Sequence, residues 1–237
     1  MEEEALQQLI QRKYAKRNPR NKTEPLKPRY TTENIYELGI DEAGRGPMFG
    51  PLYVACVVLP QTDFRFEWMK DSKRFSSDKK IRQVAEYIKE NCVAYSVQSA
   101  SAEQIDELNI RQAVLNTMHK CIDDIHSQLH LTEENAFLLV DGCDFIEYTT
   151  PKGEPIQHTT IEGGDNWYCA IAAASILAKV ARDSYIYDLC DKHPELDEHY
   201  KLRKNKGYGT SHHREGILKH GITEWHRKTF GICKEFA

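Results

Sequence analysis

Two acids, Asp41 and Glu42, stand where an apolar stretch (36–41) runs into Ala43-Gly44-Arg45-Gly46-Pro47. A third, Asp141, closes the apolar run Phe137-Leu138-Leu139-Val140 just before Gly142. Open α/β sheets put ligand sites at such strand ends, and neighbouring strands lie only about 5 Å apart. Carboxylates brought that close repel, and one is driven neutral unless a cation holds both. Hard divalent cations with oxygen ligands meet that need, and Mg2+ keeps room for waters and phosphate oxygens. Two such ions about 4 Å apart suit hydrolysis of a phosphodiester. One difficulty attends the pair. Successive strand residues face opposite sides, so Asp41 and Glu42 share a site only if the strand ends there and Glu42 bends with the glycine-rich turn. Acids before glycine also make ordinary turns, and on these residues alone that reading stays open.

A fourth acid lies in the stretch 166–190, whose run A-I-A-A-A-S-I-L-A-K-V-A-R-D at 170–183 is small and apolar. Asp183 beside Arg182, taken alone, reads as solvent-facing in the middle of a helix. Yet Ser175, Lys179 and Asp183 recur at i, i+4, i+8, a polar row along one side of the helix. Such a row could line a site at the edge of a buried helix.

The elements that must position these acids follow from periodicity. Stretches 36–41 and 52–59 read as strands of a hairpin with a long Gly/Pro loop, and 93–99, 136–141 and 158–162 as further strands. Residues 77–90 carry Ile81, Val84, Ala85 and Ile88 on one helical face, with Ser76 or Ser77 as N-cap. Residues 101–126 are helical with a break near Asn109. Residues 142–164 are turn-rich, with a small hairpin around Pro151 and Pro155. Residues 194–237 are polar and basic, with helices broken at Gly207, Gly209 and Gly221. Hairpin strands followed by alternating strands and helices imply a mixed α/β sheet; no internal repeat is present.

Composition sets bounds. The 237 residues fit one large domain, with 40% hydrophobic and 29% charged residues and a net charge of -4. That total argues against a nucleic-acid binder, but local fields steer ligands more than totals do. Seven cysteines, at 56, 92, 121, 143, 169, 190 and 233, form no C-x-x-C pair, the usage of reduced, buried thiols inside a cell. The acidic start Met1-Glu2-Glu3-Glu4 is not a signal peptide, and no apolar run is long enough to span a membrane. Residues 1–35 read as a basic, flexible tail with a short helix over 2–14. Between Gln11 and Tyr30 eight Lys/Arg face one acid.

Six blocks, in order, resemble the ribonuclease HII family: G-I-D-E-A-G-R-G-P (39–47), D-S-K (71–73), L-V-D-G (139–142), A-A-A-S-I-L-A-K-V-A-R-D (172–183), K-G-Y-G-T (206–210) and H-R-K-T-F (226–230). The resemblance covers about residues 36–235. It implies a ribonuclease H-like mixed five-stranded sheet flanked by helices over 36–190, with a helical basic C-terminal extension over 191–237. It implies an endoribonuclease that cleaves the RNA strand of RNA–DNA hybrids and incises 5′ to single ribonucleotides in duplex DNA. Two divalent cations, Mg2+ or Mn2+, are expected, with 3′-hydroxyl and 5′-phosphate products, and roles in ribonucleotide and RNA-primer removal. Carried over by position, Asp41, Glu42, Asp141 and Asp183 are the metal-binding catalytic acids. Gly44, Arg45 and Gly46 surround the 2′-hydroxyl, Tyr208 stacks at the RNA–DNA junction, and Lys73 lies near the scissile phosphates.

The residue chemistry agrees. Glycines let backbone groups approach a sugar, and the 2′-hydroxyl is what tells RNA from DNA. Between Tyr200 and Lys228 eight Lys/Arg face two acids, a surface suited to a phosphate backbone. The stretch between Asp141 and Asp183 is longer than in compact bacterial members, around 143–155. The expectation is a cytoplasmic monomer without obligatory accessory subunits. The rivals are a nuclease restricted to long hybrids and a catalytically inactive nucleic-acid-binding module.

Overall fold

The computed structural model describes residues 25–33 and 35–237. Five strands form one mixed sheet in the order β3-β2-β1-β4-β5. They are β1 Tyr36–Ala43, β2 Leu52–Val58, β3 Ala94–Ala100, β4 Ala136–Asp141 and β5 His158–Ile161. β1, β2 and β3 run antiparallel to one another in turn, while β4 and β5 add parallel to β1. The helices are α1 Asp78–Asn91, α2 Ala102–Leu108, α3 Ile110–Leu129 and α4 Cys169–Lys192. In the C-terminal part they are α5 Pro194–Tyr200, α6 Leu202–Asn205 and α7 Ser211–His220. This is the mixed sheet with flanking helices and helical extension that the sequence implies.

Strand alternation assigns the faces. Leu38 and Ile40 of β1 and Val54 and Cys56 of β2 join Ile105 of α2 and Val114, Met118 and Ile122 of α3. Ala55 and Val57 turn the other way, onto Ile81, Val84 and Ile88 of α1 and the alanines of α4. α4 crosses β1 so closely that a Cβ on Gly39 would stand 2.1 Å from the Ala170 carbonyl carbon. Only glycine fits there, and the small residues of α4 make the approach possible. Ser77, one of the two expected caps, accepts from the Lys80 N–H. Ser101 and Gln104 cap each other at the start of α2, a box the sequence reading did not single out. Asn109, at φ 68°, separates α2 from α3.

Several boundaries differ from expectation. β1 runs two residues past Asp41, because β2 continues to pair with it as far as Ala43↔Tyr53. α4 begins at Cys169 rather than 166, because residues 164–166 form a 3-10 turn. The insertion near 143–155 is tied to α3: Tyr148 is buried with its hydroxyl on Asp123, and Asp144 pairs with Arg111. Its hairpin reduces to the single bridge Thr149↔Pro155.

The expected divisions also move. Leu26 is buried in the core shared by α1 and α4. Lys27 exchanges backbone hydrogen bonds with Trp167 and Cys169. Glu37 accepts the N–H groups of Tyr30 and Thr31. The chain is therefore docked well before residue 36, the limit expected for the tail. The rest of that segment, 1–24, with its expected helix, lies outside the described residues. The division expected at 190/191 falls inside α4. Ile186, Leu189 and Cys190 of α4 share a third core with Met48, Phe49, Leu196, Tyr200 and Ile217. No helix among the described residues is long and apolar enough to cross a membrane, and all seven cysteines are free.

Candidate active site

The ladder between β1 and β4 ends at Ile40↔Val140. Asp41 and Asp141 are the next residues on these adjacent strands. β1 goes on through Glu42 and Ala43 with a partner, among the described residues, only on the β2 side. The expected condition for Asp41 and Glu42 to share a site, that the strand stop between them, is therefore not met. What admits Glu42 is the end of the β4 pairing, which leaves that edge of β1 open. Both acids line one cavity of about 550 Å3, together with Asp141 and Asp183.

Each acid has a defined partner. Asp41, only 5% exposed, accepts from the Glu42 N–H at 2.7 Å and is hydrogen-bonded by Ser175. Asp141 accepts from the Gly164 N–H at 2.6 Å. Asp183 accepts from Lys179 Nζ at 2.8 Å, one turn earlier on α4. Glu42 lies 3.7 Å from Arg45 Nη1. The polar row Ser175, Lys179 and Asp183 thus lines the cavity from α4, while the opposite side of that helix is core.

The same cavity takes in Gly44, Arg45, Gly46, Lys73 and Tyr208, so every residue singled out from the sequence lines it. Gly44 has φ +92°, and a Cβ there would stand 2.2 Å from Arg182 Nε; no other residue fits. Gly46 lies against the Tyr208 ring, whose Cε1 would be 3.6 Å from an added Cβ. Tyr208 is half exposed. Lys73 sits in a 3-10 turn whose Asp71 cap accepts the Lys73 N–H.

Sequence reasoning missed several lining groups. Arg182 is not a surface partner of Asp183. It is 2% exposed and donates to the carbonyls of Pro51, Phe49 and Lys206. Asp165, buried on the turn before α4, and Asp71 add two more acids. Asp71 and Lys206 sit inside blocks already noted for their neighbours; Asp165 gave no signal beyond its place after two glycines.

So many acids in one place strain their ionisation. Burial, then Asp141 and Glu42, raise the Asp41 carboxyl well above its usual range. Burial raises Glu42 against the pull of Arg45, and raises Asp141 against its backbone hydrogen bond from Gly164. Asp165 is pushed up to about 6 by burial, Asp71 and Asp141. Acids held this way stay charged together only with cations among them. Lysines and Arg45 supply part of that charge from the rim. The all-oxygen donor set fits hard divalent ions for the remainder. As the side chains stand, no group of three His, Cys, Asp or Glu among the described residues closes on one metal position. Glu42 faces Arg45 and Asp183 holds Lys179 instead.

The sheet and its helices resemble solved structures. Ribonuclease HII from Archaeoglobus fulgidus, determined in a complex with PCNA, aligns with a TM-score of 0.62 at 28% identity, over 83% of this chain and 96% of that one. Ribonuclease H2 from Pyrococcus horikoshii OT3 shares the fold, with a TM-score of 0.59 at 21% identity over 85% of this chain and 97% of that one. Fold and acidic cavity together are those of a nuclease of the ribonuclease H type. Residues 38–233 match the ribonuclease HII family. Ribonuclease HII of Bacteroides thetaiotaomicron is 41% identical over 203 residues, 86% of this chain and 93% of that protein. Its counterpart in Parabacteroides distasonis is 43% identical over 206 residues, 87% and 95% of the two chains. The chain belongs to the ribonuclease HII family, and its activity is that of a ribonuclease H, a hydrolase.

Proposed function

We propose that this cavity hydrolyses the RNA strand of RNA–DNA hybrids and also incises 5′ to single ribonucleotides in duplex DNA, leaving 3′-hydroxyl and 5′-phosphate ends. The observation that carries the reading is one cavity holding both an acid cluster and the Gly46–Tyr208 contact. Asp41, Glu42, Asp141 and Asp183 would hold two divalent cations, Mg2+ or Mn2+. When bound, such ions supply positive charge at the scissile phosphate and acidify the attacking water.

The chain's own residues do the remaining work. Gly44, Arg45 and Gly46 bring backbone polar groups up to the ribose, where the 2′-hydroxyl is both donor and acceptor. Tyr208 offers a half-exposed ring for stacking at the junction, and stacking tolerates any base. Lys73, Lys179 and Lys206 line the cavity as cations for flanking phosphates. Lys179 also holds Asp183 in place. In a cell these activities would serve ribonucleotide removal and RNA-primer removal in the cytoplasm, with the protein acting as a monomer. Gel filtration run beside an activity assay checks the last point.

The test uses duplex DNA carrying one ribonucleotide, and a uniform RNA–DNA hybrid, each with Mg2+ or Mn2+. Asp41→Asn and Asp141→Asn should each lose more than about 100-fold in kcat/KM, beyond the usual cost of losing an outer-shell partner. Tyr208→Ala should lose more on the single-ribonucleotide duplex than on the hybrid. Intact incision in either acid variant overturns the site assignment, and equal losses for Tyr208→Ala overturn the junction role.

A further inference from the structure

Arg227 is fully buried, and its guanidinium ends on backbone carbonyls of the glycine-rich loop. Nη2 donates to Gly44 O at 2.6 Å, Nη1 to Arg45 O at 3.1 Å and Nε to Gly50 O at 2.9 Å. The backbone on either side is tied to the same loop. Arg227 N–H donates to Met48 O, Gly50 N–H donates to Trp225 O, and His226 bridges Phe49.

The neighbouring side chain reaches the other half of the proposed reader. His226 Nδ1 accepts the Thr223 N–H at 3.0 Å, so its proton is on Nε2. That proton is donated to His213 Nε2 at 3.2 Å. His213 then carries its own proton on Nδ1 and donates it to the Tyr208 carbonyl at 3.1 Å. Arg227 thus holds the carbonyls of Gly44 and Arg45 directly, while its neighbour His226 reaches that of Tyr208 through His213. The segment is anchored in turn by Asp106 of α2, which accepts the N–H groups of Lys228 and Thr229 at 2.7 and 2.9 Å.

The physical consequence follows from peptide geometry. A trans peptide points its C=O and the next N–H in opposite directions. Fixing the carbonyls of Gly44 and Arg45 toward Arg227 therefore aims the N–H groups of Arg45 and Gly46 away from it. A loop with glycines at 44 and 46 would otherwise be free to turn these groups.

We infer that residues 225–227 form a bracket that sets the 44–46 loop against Tyr208, with Arg227 a positioning residue for the recognition of a single 2′-hydroxyl. This rests on the reading of the 44–46 loop and Tyr208 as the junction reader. Lysine keeps a charge at 227 but lacks the fork that reaches three carbonyls. The experiment compares kcat and KM of wild type, Arg227→Lys and Asp106→Ala on the single-ribonucleotide duplex and on a uniform hybrid. A hybrid offers a 2′-hydroxyl in every register, so loose aim harms it less. Arg227→Lys should lose about tenfold more on the single-ribonucleotide substrate than on the hybrid, mostly in kcat, as expected when reacting groups are misplaced. Asp106→Ala removes only the outer anchor, a partly exposed side chain on α2, so it keeps the test open if the buried substitution unfolds the protein; it should lose about threefold more on the same substrate. Equal losses on both substrates, for either folded variant, overturn the bracket and leave a merely structural arginine. A wild type that cuts hybrids but never the single-ribonucleotide duplex overturns the junction reading itself, and the bracket with it.

Discussion

Asp41 is held against its own preference: it is buried beside Asp141, Glu42 and Asp165, and among the described residues no lysine or arginine is bonded to it. Relief of that repulsion has a measurable consequence. In the presence of a chelator Asp41→Asn should melt at a higher temperature than wild type. Added Mg2+ should raise the wild-type Tm and raise that of the variant much less, because ligand binding stabilises only a chain that binds it. Thermal scans with and without the ion decide this. Gly44→Ala should act in the opposite sense. The left-handed φ costs roughly 1–3 kcal/mol for a side chain, and the Arg182 guanidinium occupies the space. Urea unfolding should show the loss of stability, and incision should fall with it. At this scale the sequence was partly legible. Asp41 and Asp141 stand out as strand-end acids. Asp183 separates from a solvent-facing helix residue only through the family motif. Arg182 and Arg227 were not legible, because a buried arginine paid for by backbone carbonyls looks in sequence like any surface charge.

The elements were easier to read than their ends. Periodicity locates every strand and every long helix, but not where a ladder stops, since that depends on the partner strand. β1 outlasts Asp41 because β2 goes on pairing with it, and Glu42 enters the cavity because β4 does not. Neither fact is encoded near residue 42. The loop between α7 and the C-terminal 3-10 turn (Gly231–Glu235) makes a pH prediction. Burial, then His213, push the His226 pKa down to about 3, against about 6.5 in the unfolded chain. Between these values the unfolded state binds the extra proton, so stability falls as pH drops from about 6.5 toward 3. His226→Asn removes that group. Its stability should decline less steeply than wild type over this window in chemical denaturation at a series of pH values, after allowing for a lower starting stability. A slope equal to that of wild type would rule out a neutral, buried His226.

The molecule as a whole is acidic, with net charge -4, yet its cavity rim carries Arg45, Lys73, Lys179 and Lys206. If these four meet phosphates, the logarithm of duplex affinity should fall with the logarithm of salt at a slope of about -3 to -4. Fluorescence anisotropy of a labelled duplex across a salt series measures it, and a slope near zero would contradict phosphate contact. The extension could not have been recognised from sequence as part of the core, because its apolar residues are sparse and their partners are far away. Met48 and Phe49 in the glycine-rich loop pack against Leu196, Tyr200 and Ile217. A chain ending at 190 should therefore lose near-UV circular dichroism and expose apolar surface to a reporter dye, rather than persist as a smaller enzyme. One consequence of α4 remains. It is a single unbroken rod that bears Asp183 over the sheet and then Ile186, Leu189 and Cys190 under the extension that presents Tyr208. The two walls of the cavity are thus parts of one beam, and opening the gap between them means bending a helix. On the proposed function the cavity is a fixed gauge, and substrates should be ranked by how cheaply their own backbone bends into its shape.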